Sequence, residues 1–194
     1  MNKSDIVAFF DRMAPQWDAD MIRDDAVVST ILDNAGVSAG DLVLDVACGT
    51  GVLLPDYLQR QVGQLTGIDI SPEMIRIARE KCQLPQVEFI CGDVETTEFD
   101  GLFDRVVVYN AFPHFPEPAA LIRRLSTLLR VGGTLTVAHG MSREQINRHH
   151  EGAASHVSMG LISEQELAEL FRPYFDVTVM LSNEKMYQVV GKKI

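Results

Sequence analysis

At 194 residues, 46% hydrophobic and 23% charged, the chain has the size and composition of one soluble globular domain with a full core. A formal charge of −10 argues against nucleic acid as the main partner, because phosphate neutralisation needs clustered Lys and Arg. No apolar run approaches the roughly 20 residues of a membrane span, so no stable membrane insertion is expected. Residues 1–10 do not have a signal-peptide layout. Cys48, Cys82 and Cys91 follow no metal-ligand spacing and cannot all pair with one another. Reduced thiols in a cytoplasm are the simplest account.

In chain order, residues 3–12 are predicted as a short helix and 20–35 as a second. Between them Pro15 breaks helix continuity, and the single Trp, Trp17, stands there either as packing or in a lid. Residues 1–36 are thus expected as a helical cap and 37–194 as the core. Leu42 to Val46 reads as a buried parallel strand that runs into a turn holding Gly49 and Gly51. Without a Cβ, that backbone can approach a ligand closely. The ligand would lie beyond the carboxyl end of the strand, where open α/β sheets place their sites. A dinucleotide fingerprint needs a third glycine where this chain has Leu54, and Asp45 would set a carboxylate close to any phosphate. A cationic, phosphate-free ligand suits the turn better.

Residues 52–61 are expected to form the first crossover helix and 64–70 the second strand, which ends in Asp69. Asp69 lies about 20 residues past the glycine turn, as a carboxylate accepting from ribose hydroxyls would. Ser71-Pro72-Glu73 starts a helix over 72–83 and already supplies its cap, which frees Asp69 for a ligand. After a third strand at 87–91 come Gly92, Asp93 and Val94. A side-chain acceptor beside a backbone donor can read the edge of adenine; a plain turn aspartate is the competing view. The fourth strand, 103–109, opens into residues 110–115, which are too apolar and aromatic for a simple exposed loop. A helix over 117–130 closed by Gly132 and Gly133, a fifth strand at 134–138 and a helix at 164–171 begun by the capping box Ser163-x-x-Glu166 follow. Strands at 175–181 and 186–192 suggest a closing hairpin with one antiparallel member.

All five histidines lie after residue 113. His114 and His139 follow the fourth and fifth strands, at the edge where a substrate would sit. A helix from Ser142 to about 150 puts Arg143, Asn147 and His150 on one face. Three readings stand side by side: a solvated surface helix with incidental histidines, a substrate pocket with one histidine as base or orienting group, and a divalent-metal site.

The stretch Asp45-Val46-Ala47-Cys48-Gly49-Thr50-Gly51 resembles motif I of the class I S-adenosylmethionine-dependent methyltransferases. Phe10 to Asp18 looks like the segment that precedes the domain in ubiquinone/menaquinone-type members. With the strand-end acids, the loop after strand four and the closing hairpin in the family's order, the chain is identified as a member. The resemblance implies a Rossmann-like α/β fold: a seven-stranded, mostly parallel sheet with an antiparallel last strand and helices on both faces. It implies S-adenosylmethionine as cofactor and S-adenosylhomocysteine as product. The contacts it implies are Asp45, Ala47, Cys48, Gly49, Gly51, Asp69, Ile70, Met74, Asp93, Val94 and Asn110.

The substrate is expected against Trp17, Phe112, His114, His139, Arg143, Asn147 and His150. His139 and His114 are the candidate catalytic groups, because strand ends fix them better than a helix does. A metal is not expected; one would sit among His114, His139 and His150. The expected activity is in-line methyl transfer to a small molecule. Alternatives are methylation of a lipophilic quinone-like ring, a non-catalytic cofactor-binding module, and a nicotinamide oxidoreductase disfavoured by Leu54 and Asp45. The acceptor atom and the oligomeric state stay open at this level.

Overall fold

The computed structural model describes residues 2–150 and 156–194, with the side chains of His149 and His150 outside that description. Seven strands form one sheet: β1 (Leu42–Val46), β2 (Gln64–Asp69), β3 (Val87–Cys91), β4 (Phe103–Tyr109), β5 (Leu129–His139), β6 (Phe175–Ser182) and β7 (Tyr187–Lys193). Their order is β3-β2-β1-β4-β5-β7-β6, and only β7 runs against the others. The order reverses between β1 and β4, so their carboxyl ends diverge and leave a crevice.

The central strands are apolar on both faces because both faces are covered. Leu44, Val46, Val106 and Val108 join a core layer with Leu121, Leu125, Leu167 and Phe171, from helices α6 (Pro118–Thr127) and α8 (Glu164–Phe171). The alternate residues Val43 and Val107 join the opposite layer. There they meet Val28, Ile31 and Leu32 of α3 (Asp25–Asn34), Tyr57 of α4 (Leu54–Gln59), and Ile75 and Ala78 of α5 (Pro72–Lys81).

Several boundaries differ from the sequence expectation. The second N-terminal helix does not run from 20: α2 is only Trp17–Asp20, and α3 starts at Asp25 because Asp24 caps it by accepting from the Ala26 and Val27 N–H groups. The first crossover helix is shorter than 52–61, because the glycine turn runs on to Leu53. The fifth strand starts at Leu129 rather than 134. The Gly132-Gly133 pair is not a helix stop but an irregularity inside β5, where the register against β4 shifts and Gly132 takes φ +82°.

Gly67 of β2 shows how tightly the sheet packs beside the crevice. A Cβ there would stand 2.7 Å from the Phe89 ring and 2.9 Å from Cys48 Sγ. Gly67→Ala is therefore expected to cost about 1–3 kcal/mol by overpacking, read as a lowered urea midpoint with an unchanged m-value.

Candidate cofactor and acceptor site

The crevice is a cavity of about 370 Å³ at the carboxyl ends of the parallel strands, covered by α1 (Lys3–Met13) and α2. Its floor is the turn after β1. Ala47 (φ +54°), Gly49 (φ +56°) and Gly51 (φ +80°) are all left-handed, which only glycine adopts without strain. A Cβ on Gly49 would project toward Trp17 Nε1 and Met74 Sδ, 3.7 and 3.9 Å away. The missing side chain is thus what keeps that part of the floor clear.

Asp69, at the tip of β2, holds the turn. Its carboxylate accepts from the Gly49 N–H at 2.8 Å and from the Ser71 N–H at 2.9 Å. Burial still pushes its pKa up, and the two N–H groups oppose that shift. Asp45, 4% exposed, is pushed well above the usual carboxylate range by burial and then by the neighbouring Asp69 and Asp56. Burial there favours the neutral form of the Asp45 carboxyl in the ligand-free protein. Asp93 accepts from the Glu95 N–H and pairs with the Lys3 ammonium, which also reaches Glu95 at 2.6 Å.

The N-terminal segment attaches to a loop after each of four strands. Asp18 accepts from Thr50 Oγ1 at 2.6 Å and pairs with Lys81 at 2.6 Å. Asp11 accepts from Ser71 Oγ at 2.5 Å and from the Glu73 N–H, extending the cap of α5. Lys3 reaches the loop after β3, and Phe10 lies edge-on to His114, after β4, with ring centroids 4.9 Å apart. Arg23 closes the far side, donating to both Asp56 oxygens at 2.7 Å and to the Val52 carbonyl at 2.9 Å.

Of the residues expected to bind, Asp45, Ala47, Cys48, Gly49, Asp69, Ile70, Met74, Asp93, Val94 and Asn110 line the cavity. Gly51 lies behind the turn, against Phe89, Ala78 and Leu54. Trp17 and His114 also line the cavity. His114 Nδ1 lies 2.8 Å from the Val157 carbonyl, which can only accept, so Nδ1–H donates there.

The rest of the expected acceptor wall is elsewhere. Phe112 is buried in the core, and His139, 1% exposed, lies beside the Tyr187 ring. Arg143 Nε donates to the Leu161 carbonyl, and Asn147 Oδ1 accepts from the Leu161 N–H at 2.6 Å. The polar stripe on α7 (Arg143–His150) thus clamps a backbone segment instead of facing the cavity. The expectation for His150 falls outside the described side chains. Among the described residues, no group of three or more His, Cys, Asp or Glu is placed to hold a metal ion.

Outside the Phe10–Asp18 stretch expected as a lid, sequence reasoning missed Lys3, Ile6, Met141 and Ile146, which also line the cavity. For α1 a signal was available, since Lys3, Ile6, Phe10 and Met13 recur at helical spacing on one face.

A family model described as a methyltransferase domain matches residues 43–133, the span from β1 to the irregularity in β5. That span, just under half of the chain, resembles a methyltransferase domain. Over 100 residues it is 40% identical to a ubiquinone biosynthesis O-methyltransferase of Xanthomonas campestris pv. campestris (strain B100), covering 50% of this chain and 41% of that protein. The chain therefore spans less than half the length of that curated relative.

Two solved structures share the fold. The N-methyltransferase NodS from Bradyrhizobium japonicum WM9, in complex with S-adenosylhomocysteine, superposes with TM-score 0.75 at 14% identity over 100% of this chain and 99% of its own. The magnesium protoporphyrin IX methyltransferase from Synechocystis PCC 6803, with the same molecule bound, gives 0.73 at 18% identity over the whole of both chains. The side-chain-free floor at Gly49 and the buried Asp45 border one cavity.

Because folding raises the pKa of Asp45, its ionised form costs stability. That cost is absent below the ordinary carboxylate range and grows as pH rises toward the folded pKa. Asp45→Asn is expected to raise the thermal midpoint of the ligand-free protein at pH 8, with the gain shrinking to nothing near pH 4. Thermal scans across that pH range check it.

Proposed function

We propose that the protein transfers a methyl group from S-adenosylmethionine to a small-molecule acceptor held between α1–α2 and the strand tips. The observation that carries this reading is the glycine turn with Asp45, Asp69 and Asp93 on one cavity. In it, Asp45 would meet the cationic methionine end, Asp69 the ribose hydroxyls, and Asp93 with the Val94 N–H the adenine edge. Met74, Ile70, Ala47, Cys48 and Asn110 would shape the walls. The cofactor supplies a methyl carbon on a positively charged sulfur, whose departure as a neutral thioether needs no acid.

What remains for the chain is to align the acceptor, exclude water and, where the acceptor carries a proton, remove it. The N-terminal helices, tied to four loops, act as the lid of this reading. His114 is the proposed base, on its place at the cavity with its ring fixed by the Val157 carbonyl. His139, away from the cavity, is proposed as packing against Tyr187. No helix among the described residues is long and apolar enough to cross a membrane, and Cys48, Cys82 and Cys91 are free thiols. Those thiols support placing the protein in a reducing compartment, the cytoplasm.

Calorimetry with S-adenosylhomocysteine and with NAD, followed by methyl transfer from labelled cofactor across an acceptor panel, tests the reading. Binding of the first and not the second, with turnover, is expected; binding without turnover favours a sensing module. Cofactor affinity is expected to fall as pH drops, because Asp45 must lose its proton to meet a cation. His114→Ala is expected to lower kcat by about 10²–10⁴-fold with cofactor affinity kept. His139→Gln should shift the thermal midpoint and leave kcat close to the parent's.

A further inference from the structure

We infer that the acceptor is an uncharged, largely apolar molecule and that this site turns anionic acceptors away. The inference rests on the methyl-transfer reading and adds to it the acceptor's charge class. Beyond the glycine turn the cavity wall is made of Phe10, Met13, Trp17, Phe115, Met141 and Ile146. Aromatic rings and flexible thioethers fit a flat apolar body and adapt to its outline. The polar atoms on this part of the wall are few, the ring nitrogens of His114 and Trp17.

Charge on the lining runs one way. Beyond the carboxylates given to the cofactor, Asp20 and Glu95 border the cavity. Among the described residues, the one Lys or Arg side chain on that border is Lys3, whose ammonium is already shared between Asp93 and Glu95. That engagement is strong enough to raise the Lys3 pKa, chiefly through the hydrogen bond to Asp93. A carboxylate, phosphate or sulfonate entering here would lose its water and meet like charge with no guanidinium or spare ammonium to receive it. A cation is drawn to the carboxylates but must leave water for an apolar wall. Discrimination therefore comes from repulsion as well as fit.

Three aryl-amine probes separate these cases: uncharged N-phenyl-1-naphthylamine, anionic 8-anilinonaphthalene-1-sulfonate and cationic N-(1-naphthyl)ethylenediamine. Each is titrated into protein saturated with S-adenosylhomocysteine. The rise of each probe's own emission reports binding, and Met141→Trp localises it to the cavity. The uncharged probe is expected to bind at least about ten-fold more tightly than either ion, a gap of about 1.4 kcal/mol. Met141→Trp, which fills the wall, is expected to abolish its binding while the heat of S-adenosylhomocysteine binding is retained.

Equal or tighter binding of the sulfonate or the ammonium overturns the inference, as does full retention of the uncharged probe by Met141→Trp. Absence of any S-adenosylhomocysteine heat in the parent protein sinks the methyl-transfer reading instead, so the two failures are told apart.

Discussion

One buried carboxylate holds the working end of the sheet together. Asp69 accepts from the Gly49 N–H on one side and the Ser71 N–H on the other, joining the turn after β1 to the start of α5. Two N–H groups at a crevice would otherwise lack partners, and a carboxylate in so dry a place is tolerable only when such donors face it. From this joint the other pieces take their positions. Ser71 caps α5 and receives Asp11, and the turn it steadies brings Thr50 to Asp18. The lid is therefore referenced to the same point as the floor.

Much of the fold was legible because parallel strands covered on both faces leave short, continuous apolar runs. The run Val106–Tyr109 needed nothing beyond that pattern, and Ser71-Pro72 named the start of α5 outright. The antiparallel end could be read from two strands separated by a connection too short for a crossover. What escaped was punctuation with two meanings. Gly132-Gly133 reads equally as a helix stop or as a kink within a strand, and only the pairing of β5 with Phe103 and Arg105 decides. Asp24 was a visible cap, but the apolar spacing around it hid the break.

The site divides along the same line. Residues near the strand tips come to the cavity because the sheet fixes where tips lie. The far wall depends on how an N-terminal helix docks, and no local pattern says that Lys3 meets Asp93 or that Phe10 meets His114. Sequence spacing put Arg143 and Asn147 on one helical face, as expected, but spacing does not say what that face meets. Here it meets Leu161.

Ala47 and Asn110, at the adjacent tips of β1 and β4, are both non-glycine residues near φ +54°. Each stores about 1–3 kcal/mol of backbone strain, and the same few ångströms hold the uncompensated Asp45. The molecule thus concentrates its discomfort where a ligand can relieve it. Anything that binds the native crevice and not the unfolded chain stabilises the whole domain by mass action. Cellular lifetime of this protein should then follow the supply of its small-molecule partner, with starvation for that partner exposing it to proteolysis.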